Sequence, residues 1–188
     1  MGTSGEHDHR HDWNVIVTVY EDEYRAAHHL LREFGHVAAS GYHNVLTLRV
    51  EDVDEFIRLL GERVKEQPGL LNSLSHVVPA GQAFDFDNAA EFEEKARQAV
   101  LQLAPQLAGC RFHVRMHRRG LKEKMSSQEE EQLMDKVLLE ALETAGTPGS
   151  ITFDDPDAIV AIETLGHRAG VSLWTRDDLR RYPFLRLD

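Results

Sequence analysis

The sequence predicts an α+β protein built from two consecutive α/β units, and three features of the 188-residue chain carry that expectation. Between residues 13 and 82, β-branched and aromatic runs alternate with helix-period apolar stripes, in the order strand, helix, strand, strand, helix, strand. From residue 85 a second alternation begins, with helical patterns first and strands after them. The third feature is the run Gly109–Gly120, GCRFHVRMHRRG, whose period-two pattern predicts a strand with one apolar and one basic side.

Residues 1–12 read as a disordered polar tail. His7, His9 and His11 alternate within it, without the apolar surroundings that orient metal ligands. Trp13–Tyr20 is β-branched and aromatic, a strand. Asp22 is placed to cap a helix with Ala27, Leu30, Leu31 and Phe34 on one stripe, and Gly35 is placed to end it. A short strand over 36–40, a turn at Gly41–Asn44 and a strand over Val45–Val50 make a hairpin. Val53, Phe56, Ile57, Leu60 and Val64 recur at helical spacing until Gln67, Pro68 and Gly69 stop the helix. A strand over Leu74–Val78 completes the order βαββαβ, a ferredoxin-like unit at 13–82. His28, His29, His36 and His43 lie in this unit without a metal-ligand spacing.

Pro79–Gln82 reads as a connection. Asn88, with Glu91 three residues on, opens a helix carrying Phe92, Ala96, Ala99, Val100 and Leu103, and Pro105 splits its end. In the strand that follows, Phe112, Val114 and Met116 share one face; Arg111, His113, Arg115, His117 and Arg119 share the other. Ser126 or Ser127 caps a long helix with Glu129 and Glu130 in its first turn. Leu133, Val137, Leu138, Ala141 and Leu142 form its expected buried face, and Gly146 ends it. After a turn at 147–149, the segment 151–157 leads into Ala158–Leu165, which is apolar on both parities and so an interior strand. Gly166 turns the chain back as Arg168–Thr175, and Thr175 with Asp178 caps a short final helix. Asp155-Pro156-Asp157 reads as a capped turn rather than as catalytic or metal-binding acids. Trp174 shares parity with Arg168 and Ser172 and reads as cover for a helix or an interface rather than as a base-stacking ring.

Charge is placed unevenly. Between Gly109 and Met125 there are six Lys/Arg and a single acid, Glu123, in a chain whose formal net charge is -11. Like charges a few ångströms apart oppose folding, so a polyanionic partner, phosphate foremost, is a natural reason to keep them together. The bland alternative is a solvated or ion-paired face. The hydrophobic content of 41% and charged content of 28% are those of a soluble globular protein. No apolar run approaches the roughly 18 residues that span a bilayer. The N-terminus lacks the apolar segment of a signal peptide. A single cysteine, Cys110, excludes an internal disulfide, fits a reducing cytoplasm, and reads as a small buried hydrophobe at a strand start.

The helices, then FHVRMHRRG, a Ser-capped helix, and Asp154-Asp155-Pro156-Asp157 before a hydrophobic hairpin together resemble the THUMP domain of tRNA-modifying proteins, over about residues 85–180. The unit before them resembles the module that usually precedes THUMP. The domains expected are therefore the ferredoxin-like unit at 13–82 and a THUMP α/β unit at 85–188. The resemblance implies tRNA binding through Arg115, His117, Arg118 and Arg119, with Lys122 and Lys124 in the following loop. Arg111, His113 and Arg168 complete the expected RNA-binding set. The family places THUMP beside a catalytic domain: a methyltransferase, a thiouridine synthase, a deaminase or a pseudouridine synthase. Because this sequence ends at Asp188, it is similar to the free-standing members, which include the adaptor that delivers tRNA to the cytidine N4-acetyltransferase.

The function expected is non-catalytic tRNA binding in the cytoplasm, presenting tRNA to a separate modification enzyme such as an N4-acetylcytidine-forming acetyltransferase. No catalytic residue, cofactor, metal or membrane is expected. One alternative is a protein-interaction module whose acidic surface meets a basic partner, with RNA binding weak or lost. The other is an RNA-modifying enzyme using His113 and His117, about 7 Å apart on one strand face, as an acid/base pair. No Gly-rich cofactor loop, GxSxG, HExxH or CxxC accompanies them.

Overall fold

A computed structural model describes residues 12–187. Its first part runs β1 (Val15–Val19), α1 (Tyr24–Leu31), β2 (His36–Ala39), β3 (Val45–Arg49), α2 (Val53–Glu66) and β4 (Leu74–Pro79). These strands form one sheet in the order β2-β3-β1-β4 with every neighbour antiparallel, the ferredoxin-like topology. Alternation along β1 sends Val15, Val17 and Val19 into a core with Leu30 and Leu31 of α1 and Phe56 and Leu60 of α2. Asp52 caps α2, accepting the N–H groups of Asp54 at 2.9 Å and Glu55 at 3.0 Å.

The expected cap of α1 is not made. Asp22 sits at φ 66, and the helix begins behind Glu23 without a side-chain cap. A cap needs extended backbone to bring its oxygen onto the first helical amides, and a left-handed turn residue lacks that geometry. Nor does Gly35 end the helix, which stops at Leu31. Gly35 lies where the chain passes the Arg49 carbonyl, and a Cβ would collide with that oxygen.

The second part holds β5 (Gln82–Asp85), α3 (Ala89–Leu103), β6 (Arg111–Arg119), α4 (Ser127–Thr144), β7 (Ser150–Ile151), β8 (Ala158–Leu165), β9 (Arg168–Thr175) and α5 (Arg176–Arg181). The sheet order is β5-β9-β8-β6-β7, with β6 parallel to both β7 and β8 and the other pairs antiparallel. Strand β5 has no local signature in the sequence; pairing with β9 makes it a strand. Asn88 and Ser126 cap α3 and α4 as expected, and Pro105 lies in a short 3-10 turn after α3. Phe92, Ala96 and Val100 of α3 meet Phe112, Val114 and Met116 of β6 and Met134, Leu138 and Leu142 of α4 in a second core. The buried face of α4 differs from expectation: Leu133 and Ala141 lie at its margin, while Glu130 and Asp135 are buried on it.

The second face of this sheet meets the first sheet. Trp13, Ile16 and Val45 pack against Leu165 of β8. Gly170 allows the approach, since a Cβ there would stand 2.6 Å from the Ala80 Cβ and 3.0 Å from the Trp13 ring. The chain's end crosses over as well: Phe184 and Leu185 are buried in the first core, and the Phe184 carbonyl accepts the Val77 N–H at 2.9 Å.

Candidate nucleic-acid interface

Strand β6 organises the site. It pairs with β8 from Phe112 to Arg119, but β7 covers only Arg111 and Phe112 on its other side. Beyond them the edge is closed by carboxylates of α4. Asp135 Oδ1 accepts the Val114 N–H at 2.8 Å, and Glu131 Oε1 accepts the Met116 N–H at 2.7 Å. A strand edge left bare would be open to pairing with another chain, which explains acids on the inner side of this helix. Burial pushes the Asp135 carboxyl up to about 6 against the lowering effect of the Val114 N–H. Burial and the neighbouring Glu93 carboxylate lift Glu130 to about 7.

The nine residues of the expected RNA-binding set are spread over several environments. Arg111 is exposed and holds Asp157 through its backbone N–H at 2.8 Å and Nη2 at 3.3 Å, which keeps that carboxyl below its ordinary range. His113 is only 8% exposed; its Nδ1 lies 2.9 Å from the Thr152 carbonyl. Arg115 is exposed, and its Nε donates to the Leu187 carbonyl at 3.2 Å. His117 is exposed, yet its desolvated side and the Arg119, His76 and Arg115 charges push its pKa down to about 4. It is therefore neutral at pH 7. Arg118 is half-buried and donates from Nη1 to the Gly120 carbonyl, while its buried Nε has no partner.

Arg119 and Arg168 lie in the contact between the sheets. Arg119 Nη1 meets Glu163 Oε2 at 2.5 Å, with side-chain exposures of 10% and 8%, and its Nη2 reaches the Thr18 hydroxyl at 3.4 Å. Burial raises the Glu163 pKa and the Arg119 guanidinium opposes that rise. Arg168 donates to the Trp13 carbonyl at 3.0 Å, pairs with Asp85 at 3.1 Å and lies 5.6 Å from the Trp13 ring centroid. Lys122 and Lys124 are exposed in the loop after β6 and have no ion-pair partner among the described residues. The cations left facing outward around the end of β6 are thus Arg115, Lys122 and Lys124, with Arg118 beside them.

His113 and His117 are four residues apart on β6, which at the rise of a strand is about 13 Å and not the shorter spacing expected. They do not form an acid/base pair. The Asp155–Asp157 corner is structural: Arg176 donates to Asp155 Oδ1 at 2.9 Å, to the Asp155 carbonyl at 2.8 Å and to Asp157 at 3.2 Å. Trp174 donates to Ser172 Oγ at 2.8 Å and packs against the first core. Cys110 is half-buried rather than buried. The His7, His9, His11 row lies outside the described residues. Among the described residues, no group of three or more His, Cys, Asp or Glu could hold a metal ion, and no helix is long and apolar enough to cross a membrane.

One residue escaped the sequence reading. Phe153 is 74% exposed and borders two clefts on either side of Arg115. One, of about 490 Å³, includes Ile159, Leu185, Arg186 and Leu187; the other, of about 450 Å³, runs along Ser127, Glu131 and Gln132 of α4. The signal that could have found it is a single large aromatic in the polar loop Thr152–Asp155.

No protein-family model and no curated protein matches this chain. Solved structures do. PH1313 from Pyrococcus horikoshii matches over 86% of this chain and 54% of its own, with a TM-score of 0.62 and 13% identity. TrmN from Thermus thermophilus matches over 85% of this chain and 44% of its own, with a TM-score of 0.51 and 18% identity. A 4-thiouridine synthetase solved with RNA and bound ATP covers 86% of this chain and 41% of its own, at a TM-score of 0.49 and 14% identity. At such identities the likeness is one of fold, and the fold is α+β and THUMP-like. The chain spans about half the length of the structures it matches. That overturns the expectation that the protein is not an enzyme. The fold stands within longer proteins, so the missing cofactor motifs of this sequence do not exclude catalysis.

Proposed function

We propose that the protein binds tRNA through Arg115, Arg118, Lys122 and Lys124, and holds it for a modification reaction such as N4-acetylation of cytidine by an acetyltransferase partner. The observation that carries this reading is the pair Lys122 and Lys124, exposed beyond β6 and without ion-pair partners among the described residues, in a chain of net charge -11. Guanidinium forks and ammonium groups side by side suit phosphate oxygens, and structured RNA is recognised largely by shape and backbone. The units at 13–82 and 85–188 act as one platform in this proposal, fastened by Arg119, Arg168 and the C-terminal segment.

Filter binding of tRNA across a salt series tests it. Contacts to roughly three or four phosphates give a slope of log K against log salt of about -2 to -4. Lys122→Ala with Lys124→Ala should reduce that slope by about one to two and weaken different tRNAs alike, because phosphate contacts position without specifying sequence. A double variant that binds with the parent's affinity and slope would refute the assignment.

A further inference from the structure

The loop between β7 and β8 holds an aromatic ring out into solvent. Phe153 is 74% exposed, well above the 37–40% of the other exposed large apolar side chains among the described residues. The backbone on either side is tied down. The Thr152 N–H donates to the Phe112 carbonyl at 3.0 Å, the Asp154 N–H donates to Thr152 Oγ1 at 3.2 Å, and Arg176 clamps Asp155. The His113 ring stands 5.0 Å from the Phe153 ring, centroid to centroid. A ring held on an anchored loop loses little freedom when something stacks on it.

Beside the ring opens the cleft of about 490 Å³, within the range of roughly 300–1,000 Å³ typical of small-molecule sites. Ile159, Leu179, Leu185 and Leu187 give it an apolar lining, Arg115 and Arg186 give it charge, and no carboxylate among the described residues lines it. Arg115 uses Nε internally, on the Leu187 carbonyl; its terminal nitrogens have no partner among the described residues. Arg186 spends Nη1 on the Tyr20 hydroxyl at 2.9 Å. Two guanidinium groups select an anionic occupant, and a flat exposed ring selects a planar one.

We propose that Phe153, Arg115 and Arg186 form a subsite for one unpaired nucleotide of an RNA strand, with its base on the Phe153 ring and its phosphate at the guanidinium groups. This rests on the RNA-binding reading and adds to it a preference for single strands, since bases within a duplex are stacked on one another and cannot reach the ring.

The test is fluorescence anisotropy of the full chain with a labelled oligoadenylate strand, with the blunt duplex made from that strand, and with AMP as competitor. Phe153→Ala should weaken the single strand by about 5- to 100-fold and leave the duplex unchanged. The side chain is exposed, so the fold should be unaffected. Phe153→Trp should retain single-strand affinity, with indole emission quenched on binding. If Phe153→Ala binds the strand as the parent does while Lys122→Ala with Lys124→Ala weakens it, the subsite is wrong and the RNA-binding reading survives. If the parent binds neither RNA at low salt, both fail. If Phe153→Ala loses AMP but keeps the strand, the cleft is a free-nucleotide site and the proposal is overturned.

Discussion

At the scale of single residues, β6 and the loop after it carry cations in opposite settings. Arg119 and Lys122 are three positions apart, yet Arg119 is paired inside the molecule and Lys122 stands in solvent. Removing a member of a buried pair leaves the other charge desolvated and alone, at a cost of about 3–5 kcal/mol. Arg119→Ala should therefore lower unfolding free energy by that order in urea titrations. Adding Glu163→Gln should recover part of the loss, because the stranded carboxylate is gone. An Arg119→Ala variant as stable as the parent would mean that this buried pair between β6 and β8 does not stabilise the second sheet.

At the scale of elements, the contact of β6 with α4 ties stability to pH. The folded values of Asp135, about 6, and Glu130, about 7, lie above the ordinary 3.8 and 4.5. Between about pH 4 and 7 the folded chain therefore keeps protons that the unfolded chain releases, so these two groups make stability fall as pH rises. His117 acts in the opposite sense. Its folded value of about 4 lies below 6.5, so its contribution rises with pH over that interval. Asp135→Asn retains an oxygen to accept the Val114 N–H and removes the penalty of ionising a buried carboxyl. Urea unfolding at pH 5 and pH 8 should show a flatter pH dependence and a gain of about 1–2 kcal/mol at the higher pH. If the slope is the parent's, Asp135 is not ionising inside the fold.

At the scale of the molecule, two sheets are joined by a few close contacts, with Gly170 of β9 against Ala80 and Trp13 at their centre. Gly170→Val places methyl groups where the other sheet already is. Overpacking of this kind costs about 1–3 kcal/mol. The expected result is a lower midpoint in thermal unfolding and altered tryptophan emission, since Trp13 packs on this glycine. Unchanged melting and emission would show that the sheets part without loss.

The order of the elements other than β5 and β7 was legible in the sequence because it is set locally. Apolar spacing, Asn88, Ser126 and Thr175 as caps, and the turn at Gly166 each act within a few residues of themselves. Parity along β6 likewise showed which of its side chains share a face. It did not show what lies opposite. Glu163 comes from within an apolar run, Asp85 from a strand without a signature, and Trp13 from the other sheet. Only tertiary contact brought them to Arg119 and Arg168, leaving Arg115, Lys122 and Lys124 to solvent. Phe153 belongs with them: the sequence places an aromatic in a loop, and its exposure depends on an arginine from α5 and a strand edge that meet only in the folded chain.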